Sequence, residues 1–306
     1  MKGRLIRSLR NSAAASLLLL STAHSVLAGS VTQPGDTMGV ANGAPTPEGL
    51  YFVNQANWGC GDTTPRTCFG AEIPLLVWST PWKILGGSLL LTTGPLTWVD
   101  VDVHNVDHVS GFFNAFVGSK LSWDLGHGWG FGYLLGAYLD RDTPVAYSSS
   151  SLNQRFALSY TGNGWDLTAN TIWGINVDQV TNDPQGSPCP GSPEHACNPN
   201  FLNVDLTGTK RFGKWEVGPI GFYATDISTP MRGYNMQSKA AIGGLVAYYL
   251  DLPTIRKGGL QAILQVYGTA EFYEENYGRE DTRVWSRLTV PLGEPPPPPE
   301  FRPVGP

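Results

Sequence analysis

The densest group of side chains that could do chemistry is His104, Asp107 and His108. Imidazole and carboxylate groups together suit a divalent metal ion or acid–base catalysis. On one β-strand the two histidines would share a face about 13 Å apart, which is too far for both to bind one ion. If the strand ends near Asn105, the spacing is free and a loop metal site stays possible. We favour solvated loop residues and predict no metal site.

Other motifs for catalysis are weak. The chain has no Gly-x-Ser-x-Gly nucleophile elbow. Residues 208–214 nearly match a phosphate-binding loop, but Trp215 stands where Ser or Thr would hold the metal ion. A hairpin turn is the better interpretation. We therefore predict a protein that is not an enzyme and has no cofactor, with a membrane-embedded hydrolase as an open alternative.

The four cysteines form two pairs that are close in sequence. Cys60 and Cys68 bracket one segment rich in turn-forming residues, and Cys189 and Cys197 bracket another. An even number of cysteines in an exported chain indicates disulfides. Three pairings are possible, and we favour the two local ones because each closes a short loop. The alternative is a metal site that uses His195 with Cys189 and Cys197, although this spacing matches no zinc pattern.

The first residues of the chain predict export. Basic residues come first, an apolar run follows at 13–20, and small residues end the stretch, which is the order found in secretory signals. Cleavage is expected between Ala28 and Gly29. We predict a signal peptide at 1–28, a flexible leader or plug at 29–49, a main domain at 50–292 and a Pro-rich tail at 293–306.

The main domain shows the two-residue alternation of β-strands. Between Trp98 and His104, for example, valines at 99, 101 and 103 share one face and polar residues occupy the other. Similar segments recur to the end of the domain. The sequence predicts the all-β class, as a transmembrane antiparallel up-and-down β-barrel of about 12 strands (12–14).

A soluble β-sandwich would also alternate, so the membrane location needs separate support. The apolar faces repeatedly end in Trp or Tyr, as expected where a barrel meets the lipid headgroups. Charged residues make up only 15% of the chain, below the roughly 25% of soluble domains. These aromatic positions are Trp98, Trp123, Trp129, Tyr160, Trp165 and Trp173.

The polar face of each strand should point into the barrel lumen. Such groups can hydrate a pore, or they can pair with one another and close it. In a barrel of about 12 strands there is room for a narrow path or a substrate pocket. The predicted lumen-lining residues are Asp100, Asp102, His104, Asn114, Lys120, Ser122, Asp124, Asp166, Asn170, Asn203 and Asp205.

Several blocks of the chain resemble one known family. Residues 73–87 contain Trp-Ser-Thr-Pro-Trp-Lys-Ile-Leu-Gly-Gly, and looser matches lie at 121–126, 213–223 and 271–276. Together they resemble the MetA-pathway of phenol degradation family, over about 49–292. The resemblance implies an outer-membrane barrel that passes hydrophobic or aromatic small molecules. The paired cysteines and the proline run at 295–299 depart from that family pattern.

These observations together favour a passive channel or transporter for small hydrophobic or aromatic compounds, located in the bacterial outer membrane. Its expected partners are membrane lipid and the small molecule itself. The net charge of −5 argues against a nucleic-acid partner. A structural or surface-interaction barrel with a closed lumen is the alternative function. The sequence does not indicate the oligomeric state.

Overall fold

The computed structural model describes residues 30–146, 150–177, 198–229, 234–251, 261–276 and 280–293. Nearly all of the regular structure in this part of the chain is β-strand. Among these residues no helix is long and apolar enough to cross a membrane. The strands are β1 Gly49–Gly61, β2 Thr67–Ile84, β3 Gly87–Gly94, β4 Trp98–Val103, β5 Asp107–Phe112, β6 Ala115–Gly126, β7 Trp129–Leu139, β8 Ser151–Tyr160, β9 Trp165–Asn176, β10 Phe201–Phe212, β11 Trp215–Asp226, β12 Ser238–Leu250, β13 Ala262–Glu275 and β14 Glu280–Pro291.

The strands close into a barrel. Strand β1 pairs antiparallel with β2 on one side and with β14 on the other, so no edge is left between the first and last strands. The wall contains 12 strands, because β4 and β5 form a hairpin outside the closed ring. The prediction of an antiparallel up-and-down barrel of about 12 strands is confirmed.

The β4–β5 hairpin extends the wall locally. Strand β2 is long, with 18 residues, and β3 pairs only with its second half. Strand β4 pairs with the first half instead, from Thr67 to Glu72. The hairpin therefore lies beyond the end of the short strand β3 and continues the sheet at one end of the barrel.

The two ends of the barrel differ. Short turns at 85–86, 127–128, 161–164 and 213–214 lie at the end where β1 begins and β14 finishes, which we call the turn end. Positive φ angles at Asn163 and Gly213 allow two of these tight reversals. The opposite end, which we call the loop end, carries the β4–β5 hairpin and the connections between β7 and β8, β9 and β10, and β11 and β12. The Gly208–Lys214 segment is the end of β10 followed by a two-residue hairpin turn, with Phe212 directly opposite Trp215.

A disulfide fastens the loop end of the first hairpin. Cys60 and Cys68 lie opposite each other on β1 and β2, and their sulfur atoms are bonded. The predicted local pairing is confirmed for this pair. The predicted Cys189–Cys197 pair, His195, the Ala28–Gly29 cleavage site and residues 294–306 of the Pro-rich tail lie outside the described residues.

The outward surface of the barrel is apolar, and a group of exposed aromatic residues lies near each end. Trp82, Trp129, Trp165 and Trp215 are exposed near the turn end, and Trp58, Trp98, Trp173 and Phe272 near the loop end. Between them the exposed side chains are mainly aliphatic, such as Val217, Leu264 and Val266. Soluble proteins bury such residues, whereas the lipid-facing surface of a membrane barrel has this composition.

Candidate functional site: the barrel lumen and its N-terminal segment

Residues 30–48, which we call the inner segment, lie inside the barrel. Gly43 N–H donates to Ser159 Oγ on β8 at 2.9 Å, and Gly39 N–H donates to Thr207 Oγ1 on β10 at 2.8 Å. The carbonyl of Met38 accepts from Arg287 of β14 at 2.7 Å. Because these strands lie on different sides of the ring, a segment that contacts them all must occupy the lumen.

The inner segment crosses most of the height of the lumen. At the turn end, the carbonyl of Thr46 accepts a hydrogen bond from Ser79 at 2.8 Å. Towards the loop end, the carbonyl of Thr32 accepts from Asn203 Nδ2 at 3.0 Å. Thr32 and Met38 have no solvent exposure. The segment therefore runs up from the start of β1 and fills the barrel at several levels.

Asp205 is the main acceptor for the backbone of the inner segment. Its Oδ1 accepts from Gly35 N–H at 2.9 Å, and its Oδ2 accepts from Thr37 N–H at 3.0 Å and Thr37 Oγ1 at 2.6 Å. Asn170 Nδ2 also donates to Thr37 Oγ1, at 2.8 Å. Bonds to a charged acceptor are stronger than neutral ones, so this carboxylate is the firmest single anchor on this side of the segment.

Arg287 binds the opposite side of the inner segment, and all five of its donors are used. Three of its bonds go to the barrel wall, to Gln55 Oε1 at 2.8 Å, Gln265 Oε1 at 2.9 Å and Tyr267 OH at 2.9 Å. The other two go to the carbonyls of Met38 at 2.7 Å and Asp36 at 2.5 Å. The wall thus fixes the guanidinium, and the segment supplies two oxygen acceptors.

Ion pairs complete the polar interior. Asp36 of the inner segment lies 3.5 Å from Arg155 on β8. Lys239 and Glu271 pair at 2.9 Å between β12 and β13, and both are buried. Lys120 Nζ donates to the carbonyl of Asn42 at 3.3 Å. The wall groups that contact the segment therefore include several cations, which suits the carbonyls and the one carboxylate that face them.

The lumen also contains two apolar clusters. One, the mouth cluster, lies towards the loop end and includes Val31 of the inner segment with Val99, Val101, Phe113 and Phe201. The other, the wall cluster, lies on the inner face of β11–β14. It packs Met38 of the inner segment against residues that include Phe222, Leu245, Tyr267 and Trp285. The β11–β14 side of the interior thus combines an apolar cluster with buried charged groups such as Arg287 and the Lys239–Glu271 pair.

The structure separates the predicted lumen residues into three groups. Asn114, Lys120, Ser122, Asn170, Asn203 and Asp205 are buried. Lys120, Asn170, Asn203 and Asp205 bond directly to the inner segment. Asp124 and Asp166 lie near the turn end, where Asp124 is exposed and Asp166 is half-buried and accepts from Thr168 at 2.6 Å.

The third group corrects the sequence interpretation. Asp100, Asp102 and His104 do not line the lumen: they lie on or just after β4, partly or fully exposed. The valines of β4 take the inward face because this strand belongs to the hairpin, where its apolar side packs into the mouth cluster. Asp100 instead pairs with exposed His108 at 2.8 Å. Within the described residues, no group of three His, Cys, Asp or Glu side chains could hold a metal ion.

Several inward-facing charged residues were not predicted from the sequence. Arg155, Glu216, Arg283 and Arg287 are in the lumen but were not predicted there. The one available signal was the two-residue spacing that puts Arg283 and Arg287 on the same face of β14. Trp285 lies between them on that face and is fully buried. Because it is a large apolar residue, the sequence does not identify this face as polar.

The inner segment approaches the backbone of the wall closely at Gly43. A Cβ atom there would lie 2.6 Å from both the carbonyl oxygen of Gly130 and the amide nitrogen of Ser159. Backbone atoms on two strands cannot give way cheaply. The absence of a side chain at this position therefore lets the segment lie against β7 and β8.

We expect Gly43→Ala to loosen the inner segment without opening the barrel wall, because the added methyl group must push the segment off β7 and β8. Limited proteolysis of the folded protein in detergent measures this, and cleavage within residues 30–48 should become faster. Gly244→Ala is the matched control, since its Cβ would meet no atom nearer than 4.0 Å. Equal cleavage rates for the two variants would contradict the close contact.

Comparison with known proteins agrees with this architecture. The family model "Putative MetA-pathway of phenol degradation" matches residues 35–288. The chain belongs to this family. The match begins within the inner segment and includes all strands up to most of β14, so both the barrel and part of the segment are features of the family model. No curated protein matches the chain.

A solved structure has the same fold. The structure resembles the COG4313 outer membrane channel from Pseudomonas putida F1 with a TM-score of 0.63 and 13% sequence identity, over 84% of this chain and 98% of that one. The β domain of the Bordetella autotransporter Brka aligns with a TM-score of 0.45 and 11% identity, over 80% of this chain and 100% of the domain. The likeness to the COG4313 channel shows that this family member has the fold of an outer-membrane channel barrel.

Proposed function

We propose that the protein is an outer-membrane channel for small hydrophobic or aromatic compounds, and that the inner segment is its removable plug. The observation that carries the proposal is the way the lumen is filled. A closed barrel with an apolar exterior holds a segment of its own chain by hydrogen bonds to Asp205 and Arg287 and by one ion pair to Arg155.

The outer-membrane location is supported by the exterior surface. An apolar band with aromatic residues near both ends matches the depth profile of a bilayer. Membership in the family and the basic-apolar-small order of residues 1–28 fit the same location. The protein would reach the membrane by export with cleavage of the signal peptide.

The choice of apolar solutes is supported by the two clusters in the lumen. A purely aqueous pore needs no apolar lining, but here Val31 and Met38 of the plug sit in apolar surroundings near the mouth and at the wall. When the plug moves, a hydrophobic solute could make the same contacts that these side chains make. Transport would be passive, driven by the concentration gradient.

Uptake by intact cells tests this function. N-phenylnaphthylamine is excluded by an outer membrane with lipopolysaccharide and fluoresces once it reaches phospholipid. We expect cells with the folded barrel in their outer membrane to take it up several-fold faster than matched cells without it. The amount of folded barrel is checked by its faster migration on unboiled gels.

Three results are distinguishable in that assay. Faster entry of N-phenylnaphthylamine without faster entry of a sugar supports the proposal. Faster entry of the sugar alone would replace it with a polar pore. No change for either solute, with folded barrel present, would favour a structural barrel with a closed lumen.

A further inference from the structure

We infer that the lumen beside β13 and β14 is a binding site for small aromatic carboxylates, and that Asp36–Met38 of the plug occupy it in place of the ligand. The inference deepens the proposed function and rests on it in one respect, because the plug must be able to leave. It adds a substrate class with a named anion-binding residue, Arg287.

The hydrogen-bond donors of Arg287 suit a carboxylate ligand. Three of its hydrogen bonds, to Gln55, Gln265 and Tyr267, come from the barrel wall and stay when the plug leaves. One donor on Nη1 and one on Nη2 then lose their acceptors, the carbonyls of Met38 and Asp36. A guanidinium that offers one donor from each terminal nitrogen can bind a carboxylate through both of its oxygens.

An apolar surface lies next to this guanidinium. The side chain of Met38 is fully buried in the wall cluster. Tyr267 and Trp285 stack there, with ring centroids 5.6 Å apart and an interplanar angle of 8°. The Arg287 guanidinium lies 5.4 Å from the Tyr267 ring centroid. An aromatic ring in the place of the Met38 side chain would thus lie within one molecule's length of Arg287.

The charges of the lumen wall also favour an anion. The charged wall side chains shown to contact the plug are Lys120, Arg155, Arg283, Arg287 and Asp205. Asp36 is the plug's own carboxylate at this level, and it leaves with the plug. The wall then has four cations and one carboxylate, and Arg155 has lost its carboxylate partner, which is costly for a buried cation. An entering anion restores the balance, whereas a neutral ring such as phenol does not.

Equilibrium binding to the purified full-length protein in detergent tests the inference, with radiolabelled benzoate as the probe. We expect benzoate to bind at least tenfold more tightly than phenol, which lacks the carboxylate, or acetate, which lacks the ring. Met38→Ala should bind benzoate several-fold more tightly than the wild type, because the side chain that competes for the site is smaller.

Arg287→Gln should weaken benzoate binding at least tenfold. Arg211→Gln is the matched control: this arginine on β10 donates to the carbonyl of Gly213 at 2.9 Å and to Gln261 Oε1 at 2.8 Å, and not to the carbonyls of Asp36 or Met38. Benzoate affinity should change no more than twofold in the control. Folding of each variant is checked by unboiled gel migration.

Equal losses in the two arginine variants, or equal affinity for benzoate and phenol, would overturn the site. If Arg287→Gln does not fold, the benzoate-to-phenol ratio in the wild type and in Met38→Ala decides. Because the assay measures binding and not passage, it is independent of the uptake test. Benzoate binding without uptake of N-phenylnaphthylamine would contradict the channel function and support the binding site. Uptake of N-phenylnaphthylamine without a preference for benzoate would support the channel function and contradict the binding site.

Discussion

Deletion of residues 30–46 is expected to raise the single-channel conductance of the barrel by about tenfold or more. Barrels of 8 strands are filled by their own side chains and those of 16 carry a water-filled pore, so a 12-strand barrel without its plug should hold a narrow aqueous path. The deletion variant keeps the signal region, and residues 47 and 48 still precede the first strand, which begins at Gly49. Planar-bilayer recordings of wild type and variant measure the change.

A second variant separates release of the plug from damage to the barrel. Asp205→Ala removes three hydrogen bonds to Gly35 and Thr37 while the full chain stays in place. Bonds to a charged group contribute about 1.5–3 kcal/mol each, so the plug should leave intermittently and give brief openings to the conductance of the deletion. Asp100→Ala is the matched control, because this carboxylate lies outside the lumen on β4.

Unchanged conductance in the deletion variant, with the barrel shown to be folded, would mean that the plug does not close the channel. The mouth cluster would then be the barrier, since Val99 and Val101 of the hairpin pack there with Phe113 and Phe201. That result would also remove the reason for intermittent openings in Asp205→Ala.

Much of the fold could be predicted from the alternation of residues along each strand. Alternation gives the two faces of a strand, and short turns between long strands give antiparallel neighbours. Lys120, Asn170, Asn203 and Asp205 were assigned to the lumen on this basis, and the structure places them against the inner segment. Their strands, β6, β9 and β10, all belong to the closed ring.

Alternation does not say which face of a strand points inward, and β4 shows the consequence. In the ring the polar face is inside because lipid surrounds the wall. In the hairpin at the loop end the apolar face is inside, so the same pattern of Val99 and Asp100 has the opposite orientation. The sequence of β4 alone has no feature that distinguishes a hairpin from a wall strand.

The contacts of the inner segment could not be predicted for a different reason. Gly35 and Asp205 are 170 residues apart, and Met38 and Arg287 are 249 apart. The segment has no period of its own, and its bonds are made largely by backbone groups, which every residue carries. The small residues of 30–48 indicated only a flexible leader or plug, without the partners that hold it.

Val246→Arg is expected to cost about 1 to 3 kcal/mol of folding free energy in phospholipid vesicles, because arginine on the lipid face costs about 2 to 4 kcal/mol at the bilayer midplane and less towards the interfaces. Val246 lies on the outer face of β12 between Val217 of β11 and Val266 of β13, and all three are exposed.

Val106→Arg is the matched control, since Val106 is 63% exposed in the turn between β4 and β5, beyond the apolar band. Arginine there should cost less than about 1 kcal/mol. Denaturant titration in vesicles, followed by unboiled gel migration, measures both. In water an exposed valine can be replaced by arginine at almost no cost, so equal and small effects at both positions would show that the outer face of this barrel does not contact lipid.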